Sequence, residues 1–218
     1  ENLFVTGRAG TGKTTLLRGY RARSGDNLIV LAPTGVAALN AGGSTIHSFF
    51  HFGKTAVRQE VLQRHPSDPG LYKGLTAIAI DEVSMVRADL LDCVDLFLRH
   101  HGPRPGEPFG GVVVTLIGDP YQLPPVVTRD DEDLVSGYES PYFFSSNAYR
   151  EGGFGAVELH EVFRQHDGEF VDLLSRVREG KASTADLNTV NSRVERVNLI
   201  KRAEQGTMVL VTTNASRE

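Results

Sequence analysis

Short runs of apolar residues recur along the chain and alternate with longer stretches of helical periodicity. Each run is continuously apolar instead of alternating with polar positions, which is typical of strands buried on both faces of a parallel sheet. Glycine, proline or acidic residues follow closely after each main run. The pattern predicts buried strands at residues 3–5, 27–32, 75–80 and 112–117, two short strands at 141–145 and 156–159, and a last strand at 207–212.

Between these strands the spacing of apolar residues indicates helices. They are predicted at residues 14–21, 36–40, 57–63, 88–99 and 170–178. An alternation of strands and helices predicts an α/β fold, a three-layer sandwich in which helices flank a mainly parallel sheet. Residues 53–74 are more polar and are interpreted as a surface insertion. The acidic run at residues 129–133 is interpreted as a solvated loop.

The first strand and the first helix are joined by a glycine-rich loop, within L-F-V-T-G-R-A-G-T-G-K-T-T at residues 3–15. The loop has the G-x-x-x-x-G-K-T pattern of a phosphate-binding P-loop. Its glycines allow successive N–H groups to point at phosphate oxygens, and the helix adds its positive N-terminal end. Lys13 brings a positive charge to the outer phosphates, and the hydroxyl of Thr14 can ligate Mg²⁺. We expect ATP to contact Gly7, Gly10, Thr11, Gly12, Lys13, Thr14 and Thr15.

Acidic and amide side chains follow two later strands. Asp81 and Glu82 come directly after the strand at 75–80, and Asp119 and Gln122 follow the strand at 112–117. Ligands gather at the carboxyl ends of parallel strands, so these residues are expected at the nucleotide site. Asp81 is predicted to hold Mg²⁺ and Glu82 to polarise the attacking water. Gln122 is predicted to contact the γ-phosphate or orient that water.

The segment at residues 33–50 supplies a second set of candidate contacts. Thr34 and Gly35 lie where a strand gives way to a helix, and His47 is a short donor suited to phosphate or sugar. Phe49 belongs to a group of phenylalanines that includes residues 50 and 52. Such a group forms either a base-stacking platform or part of the core, and the core is the commoner outcome.

Composition and charge exclude several classes of protein. The chain has 218 residues, 40% of them hydrophobic, which suffices for one globular core without disulfides. Its net charge of −4 argues against a globally basic nucleic-acid binder but allows a local basic groove. The single cysteine, Cys93, is interpreted as a core residue, and the absence of a disulfide framework fits a reducing compartment. No apolar run approaches the length of a membrane span, so we expect an intracellular protein, cytoplasmic if it is bacterial.

Several motifs together resemble those of the superfamily 1B DNA helicases of the Pif-one/RecD-like group. G-R-A-G-T-G-K-T resembles motif I, A-P-T-G-V-A-A-L-N with S-T-I-H-S-F resembles motif Ia and its extension, and I-D-E-V-S-M resembles motif II. G-D-P-Y-Q-L-P-P-V resembles motif III, and V-F-R-Q lies beyond it. The resemblance covers essentially the whole chain and implies the first RecA-like motor domain, 1A, at residues 1–218.

The resemblance also implies roles for individual residues. Lys13, Glu82, Gln122 and Arg164 would be catalytic, with Arg164 contacting the γ-phosphate, and Thr14 and Asp81 would hold Mg²⁺. Thr34, Gly35, His47 and Phe49 would lie along single-stranded DNA. Residues 51–74 would stand in the place of the small wedge subdomain, 1B. In such sheets the strand ending near Asp119 lies between the strands that end at Thr6 and Asp81.

The expected activity is ATP hydrolysis that drives 5′–3′ translocation on single-stranded DNA and unwinding of forked duplexes by a monomeric motor. The family's adenine-reading segment and its second RecA-like domain are not found in this sequence. We therefore expect a chain truncated at both ends, which binds nucleotide weakly and unwinds nothing alone. Two alternatives stay open: a nucleotide-gated DNA-binding module that does not hydrolyse ATP, and another P-loop enzyme such as a small-molecule kinase.

Overall fold

The computed structural model describes residues 1–53, 56–163, 168–192 and 194, and it divides into two compact units, residues 1–171 and 172–218. In the described part of the first unit, six strands form one sheet with the order β3-β2-β4-β5-β1-β6, and all neighbouring strands run parallel. The strands are β1 (Leu3–Gly7), β2 (Leu28–Ala32), β3 (Ser44–Thr45), β4 (Ala77–Ile80), β5 (Val113–Ile117) and β6 (Gly155–Leu159). The predicted α/β fold with a parallel sheet is confirmed, and β5 lies between β4 and β1 as expected.

Helices lie between the strands along the chain, and two more follow the last described strand. Among the described residues they are α1 (Lys13–Ser24), α2 (Gly35–Ala41), α3 (Ile46–Phe49), α4 (Arg58–Gln63), α5 (Pro69–Lys73), α6 (Ala88–His101), α7 (Glu132–Val135), α8 (Asn147–Glu151), α9 (Gly168–Arg178) and α10 (Thr184–Asn191). The short elements β3 and α8 were not predicted, because two and five residues are too few to show a period. The strand predicted at 207–212 lies outside the described residues.

Two predicted segments differ in the structure. Residues 141–145 do not form a strand: Phe143–Ser145 is a 3-10 turn, and only an isolated bridge joins Tyr142 to Arg87. Packing decides this, because the ring of Phe143 is buried 5.2 Å from that of Phe4 and pulls the segment inward. The acidic run at 129–133 is exposed at four of its five residues, as predicted, but it is not a loop. It forms a 3-10 turn that leads into α7, with Asp131 buried against a distant arginine.

The central helix α6 is buried on almost every side, including three carboxylates spaced three residues apart. Asp89 pairs with Arg87, and Asp95 accepts hydrogen bonds from the Phe109 amide at 2.6 Å and from a nearby arginine. Asp92 accepts hydrogen bonds from the Tyr138 hydroxyl, the Asn147 side chain and the Ala148 amide. A buried charge is tolerated only when it is paired in this way. The acidic side of α6 therefore fixes the loops that cross it.

An aromatic cluster on the same side of the sheet fills the space between α6 and residues 51–74. Phe50, Phe52, Tyr72 and Phe97 are buried, with ring centroids of Phe97 and Tyr72 4.8 Å apart. Val61 of α4 is buried in the same core. The expectation of a surface insertion is wrong in this respect. The sequence of this segment looks polar because α4 and α5 bury only one side chain each, Val61 and Tyr72.

In the second unit an ion pair joins the end of α9 to α10. The guanidinium of Arg176 donates two hydrogen bonds to Asp186, at 2.6 and 3.0 Å. Asp186 also accepts from the amide and hydroxyl of Ser183 in a capping box that begins α10. These hydrogen bonds to the charged carboxylate hold the pKa of Asp186 well below its usual range.

Within the described ranges, no helix has the length and apolar character needed to cross a membrane.

Phe97→Ala should destabilise the protein by about 3–5 kcal/mol, because the ring is 1% exposed and its loss leaves a cavity among three other aromatic rings. Urea denaturation followed by circular dichroism measures the change. Leu62→Ala is the control, since Leu62 is 48% exposed, and it should cost less than about 1 kcal/mol. Equal costs for both variants would contradict the described core.

Candidate functional site

The glycine-rich loop joins β1 to α1 at the carboxyl edge of the sheet. Gly10 and Gly12 have φ values of 82° and 89°, in the left-handed region that favours glycine. A Cβ on Gly7 would lie 2.5 Å from the carbonyl oxygen of Leu159, so no larger residue fits between β1 and β6. A Cβ on Gly12 would meet no protein atom within 4 Å, so this glycine faces open space at the start of α1. The loop is therefore a concave cradle of backbone.

Lys13 points back across this cradle. Its Nζ donates hydrogen bonds to the carbonyl oxygens of Gly7 at 2.6 Å and Arg8 at 3.0 Å. Thr14 and Thr15 follow in the first turn of α1 and are exposed, whereas Thr11 is buried and its hydroxyl donates to Arg8. These residues line a cleft of about 1280 Å³ that also reaches Glu82 and Gln122. The structure thus brings the P-loop residues together with two of the predicted catalytic side chains.

Asp81 and Glu82 leave the sheet at the end of β4. Asp81 is 7% exposed, and its Oδ1 accepts a hydrogen bond from the Glu82 amide at 3.0 Å. Glu82 has φ 51° and ψ 43°, a left-handed conformation that is uncommon for a residue with a side chain. Strained backbone of this kind clusters at functional sites. The turn sends Glu82 into the cleft while Asp81 stays beneath it.

The end of β5 packs directly against that turn. A Cβ on Gly118 would lie 2.9 Å from the amide nitrogen of Val83, so the two strand ends meet only because residue 118 is glycine. Asp119 follows and is 1% exposed. It accepts hydrogen bonds from the Tyr121 amide and the Gln122 side chain, both at 3.2 Å. Asp119 therefore orients Gln122, the residue that lines the cleft.

The acidic groups of the site have raised pKa values. Burial raises the pKa of Asp81, while the Glu82 amide and the charge of Lys13 act against that rise. Burial also raises the pKa of Glu82, and the negative charges of Asp81 and Asp119 raise it further against the effect of Lys13. A raised pKa is typical of a carboxylate that exchanges protons during a reaction.

The residues present fit a Mg²⁺-bound nucleoside triphosphate. The open space at Gly12 leaves room for phosphate oxygens, and Thr14, which is exposed, lines the same cleft as Glu82, with Asp81 buried directly before Glu82 in the chain. Hydroxyl and carboxylate oxygens are the ligands that Mg²⁺ prefers. Gly7, Gly10, Thr11, Gly12, Lys13, Thr14 and Thr15 all belong to the loop or its first helical turn.

The residues predicted to contact DNA lie around β2 and β3, away from the P-loop strand. Thr34 begins α2, where its Oγ1 accepts a hydrogen bond from the Ala37 amide at 3.3 Å. Gly35 is exposed, and a Cβ there would meet nothing within 4 Å. His47 is half-buried, edge-on to Phe52, and burial together with the charge of Arg87 lowers its pKa against the opposing effect of Asp89. A lowered pKa favours the neutral form of the imidazole.

Phe49 is only partly available for stacking. Its ring packs edge-on against Phe50, at 4.9 Å, and against Tyr72, at 5.6 Å. Phe50 and Phe52 are core residues, as the commoner interpretation of the phenylalanine group holds.

Phe163 is a cleft residue that sequence reasoning missed. Its amide donates to the carbonyl of Gly10 at 2.9 Å, and its side chain is 62% exposed along the cleft. An exposed aromatic beside a P-loop is a candidate surface for a nucleotide base. The signal in the sequence was its place next to Arg164, which itself lies outside the described residues.

Comparison with known proteins identifies one family. The family model for PIF1-like helicases matches residues 1–188. The ATP-dependent DNA helicase PIF1 of Saccharomyces cerevisiae (strain YJM789) is 38% identical over 192 residues, and the alignment covers 83% of this chain and 21% of that protein. The PIF1 helicase of Danio rerio is 37% identical, with 90% of this chain and 31% of that protein covered. The chain therefore spans less than a third of each of these relatives.

Solved structures give the same result. A Bacteroides Pif1 bound to single-stranded DNA superposes with a TM-score of 0.79 at 39% identity, covering 90% of this chain and 47% of that one. A Bacteroides Pif1 in complex with ADP-AlF3 and single-stranded DNA superposes with a TM-score of 0.80 at 38% identity, covering 91% and 47%. The described sheet is thus the one found in these helicases.

Glu82→Gln should stabilise the chain at neutral pH. The pKa of Glu82 is raised in the folded state, so the free energy of unfolding falls as the pH rises through that raised pKa. The glutamine side chain does not ionise, so the variant avoids this loss. Its unfolding free energy should exceed that of the parent at about pH 7.5, and the difference should vanish near about pH 4, where Glu82 is protonated in the parent. Urea midpoints in EDTA, without nucleotide, measure the difference.

The same substitution at exposed Glu139 is the control and should leave the urea midpoint unchanged. A Glu82→Gln variant less stable than the parent at neutral pH would show that the carboxylate is held by favourable contacts instead.

Proposed function

The chain belongs to the PIF1-like helicase family, and from this premise we propose that it is the first RecA-like motor domain of an ATP-dependent DNA helicase. Such a motor couples ATP hydrolysis to 5′–3′ translocation on single-stranded DNA and to unwinding of a forked duplex. The convergence of Lys13, Glu82 and Gln122 on one cleft carries the proposal. Residues 51–74, with α4 and α5, are the counterpart of the small wedge subdomain.

The reaction proposed is attack of water on the γ-phosphorus of ATP. Glu82 accepts a proton from that water as its oxygen bonds to phosphorus, and the bond to the bridging oxygen breaks to release ADP and phosphate. Lys13 leaves the carbonyls of its own loop to neutralise the outer phosphates. Gln122, oriented by Asp119, contacts the γ-phosphate or the water. Thr14 and Asp81 would hold Mg²⁺, which would supply positive charge against the phosphates.

The rest of the nucleotide site is proposed from the edge of the same cleft. The ring of Phe163 offers a stacking face for adenine. Arg164, the next residue, neutralises charge that develops during phosphoryl transfer. A second RecA-like domain closes the cleft from the other side, so the chain alone binds nucleotide weakly and unwinds nothing, and the full-length protein works as a monomer.

Single-stranded DNA is proposed to lie along Thr34, Gly35, His47 and Phe49. Their position at the carboxyl ends of β2 and β3, separate from the P-loop, supports this assignment. The match to a relative bound to single-stranded DNA supports it too. A module that binds nucleotide without hydrolysing it is the alternative, and the presence of Glu82 and Gln122 on the cleft favours hydrolysis.

Glu82→Gln should lower ATP hydrolysis by the full-length protein by about 10²-fold or more, because general-base assistance contributes this much. ATP affinity should be retained, because the P-loop is unchanged. Phosphate release with Mg²⁺, with and without an unlabelled single-stranded oligonucleotide, measures both the basal and the stimulated rates. Binding without turnover in the parent protein would favour the gated binding module, and turnover indifferent to DNA would favour another P-loop enzyme.

Gly35→Ala should weaken binding of single-stranded DNA by about five- to tenfold, the loss of about 1 kcal/mol. A methyl group at Gly35 has free space in the protein and suits a helix, so folding should be unaffected. A loss of DNA affinity would then mean that the DNA backbone approaches this position closely. Fluorescence anisotropy of a labelled oligonucleotide measures it. Gly19→Ala, also in open space but on α1, is the matched control. Equal affinity of both variants for DNA would remove Gly35 from the proposed path.

A further inference from the structure

A basic groove lies between the later turns of α1 and the end of α2. Its volume is about 560 Å³, and its lining comes only from these two helices and the glycines that follow them. Arg18 and Arg21 line it on α1, Leu39 and Asn40 line it on α2, and the other lining residues are alanine or glycine. The described lining therefore contains two cations and no acidic side chain.

The two arginines are available to an anion in different ways. Arg18 is exposed and makes no hydrogen bond or ion pair with the part of the chain that the structure describes. The guanidinium of Arg21 donates to the carbonyl oxygen of Gly42, directly after α2. This contact uses one N–H of five and holds the positive charge at the groove, so the remaining donors can bind a carboxylate.

The α2 side of the groove presents apolar surface. Leu39 is 81% exposed, more than any other large hydrophobic side chain among the described residues. Alanine and glycine next to it in the lining are small enough to leave room for a side chain from a partner. Exposed apolar surface beside arginines is typical of sites that bind proteins.

The groove is separate from the two ligand sites already described. Neither Arg18, Arg21 nor Leu39 lines the nucleotide cleft. Thr34 caps the start of α2, whereas Leu39 and Gly42 lie at its end. A helix of seven residues is about 10 Å long, so the groove lies about that far from the residues proposed to contact DNA.

The distribution of charge along the chain favours an acidic occupant at this place. Residues 1–53 contain five arginines or lysines and two acidic residues, although the whole chain has a net charge of −4. An acidic partner is therefore attracted to this part of the protein and repelled by the rest.

A peptide suits the groove better than a nucleic acid does. Affinity for a nucleic acid grows with the number of phosphates that are neutralised, and two arginines neutralise few. The sugar–phosphate backbone would also leave Leu39 without an apolar contact. A short peptide that carries both carboxylates and an apolar side chain uses every part of the lining.

We propose that this groove binds an acidic peptide segment of a partner protein. Carboxylates of the peptide pair with Arg18 and Arg21, an apolar side chain packs against Leu39, and the side chain of Asn40 hydrogen-bonds the peptide backbone. The partner is thereby held on the motor domain while the nucleotide and DNA sites stay accessible. ATP turnover continues when the groove is occupied.

The test measures binding of a labelled peptide to the full-length protein by fluorescence anisotropy. The probe is a synthetic peptide in which aspartates flank a leucine and a phenylalanine. Arg18→Glu should lower the affinity by about tenfold, because it replaces an attraction with a repulsion. Leu39→Gln should lower it by about fivefold, because glutamine keeps the helix propensity but loses the apolar contact.

The same substitutions on α4 are the matched controls. Arg58 and Leu62 are exposed and do not line the groove, so Arg58→Glu and Leu62→Gln should keep the parental affinity. A second probe, with asparagine in place of aspartate, should bind the parent about tenfold more weakly. Circular dichroism identifies any variant that fails to fold, and the other groove variant then decides.

Absence of binding by the parent at about 1 mM acidic peptide would overturn the proposal, and so would equal losses in the α4 controls. If Arg18→Glu lowered the affinity for an oligonucleotide but not for the peptide, the occupant would be a nucleic acid and the proposal would be wrong. DNA-stimulated ATP hydrolysis is measured on the same samples and should be parental in both groove variants. Its absence from the parent would overturn the proposed function instead, so the two failures are distinguishable.

Discussion

The architecture depends on three buried carboxylates along one side of α6. Asp89, Asp92 and Asp95 succeed one another at intervals of about one helical turn, which places them on one face. A buried carboxylate without partners would be strongly destabilising, so each must be met by donors from elsewhere in the chain. Asp89 is met by Arg87 at the start of the helix, whereas Asp92 and Asp95 accept from Tyr138 and Phe109, in segments distant along the chain, and α6 thereby fixes the positions of those segments.

This arrangement explains how a mostly exposed loop can serve a buried site. The sheet brings Asp81 and Asp119 to one edge because β4 and β5 are neighbours in register, with Ile80 opposite Leu116. Gly118 then allows the two strand ends to approach more closely than any side chain would permit. After Asp119 the chain leaves the sheet, and polar contacts with residues at and near the start of α6 help to hold it in place. Catalytic geometry thus rests on strand register first and on buried charge second.

The parts visible in the sequence are those specified by local pattern. Apolar runs identified β1, β2, β4 and β5, and the glycine spacing identified the P-loop, because both follow from short stretches of chain. The burial of Asp131 could not be predicted from local pattern. Its environment is set by Arg87, forty-four residues earlier, and composition alone indicates a solvated acidic run. Tyr72 was missed for the same reason, since its burial depends on Phe97 across the cluster.

The contacts of Lys13 have a consequence for ligand exchange. Its ammonium group donates hydrogen bonds to two carbonyls of the glycine-rich loop and so holds the loop in its curved form. The cradle is consequently ordered before any anion arrives, and little conformational entropy remains to be lost when one binds. An incoming anion must also compete with these two carbonyls for the amine of Lys13, so part of the electrostatic gain on binding is offset by the hydrogen bonds that the loop gives up.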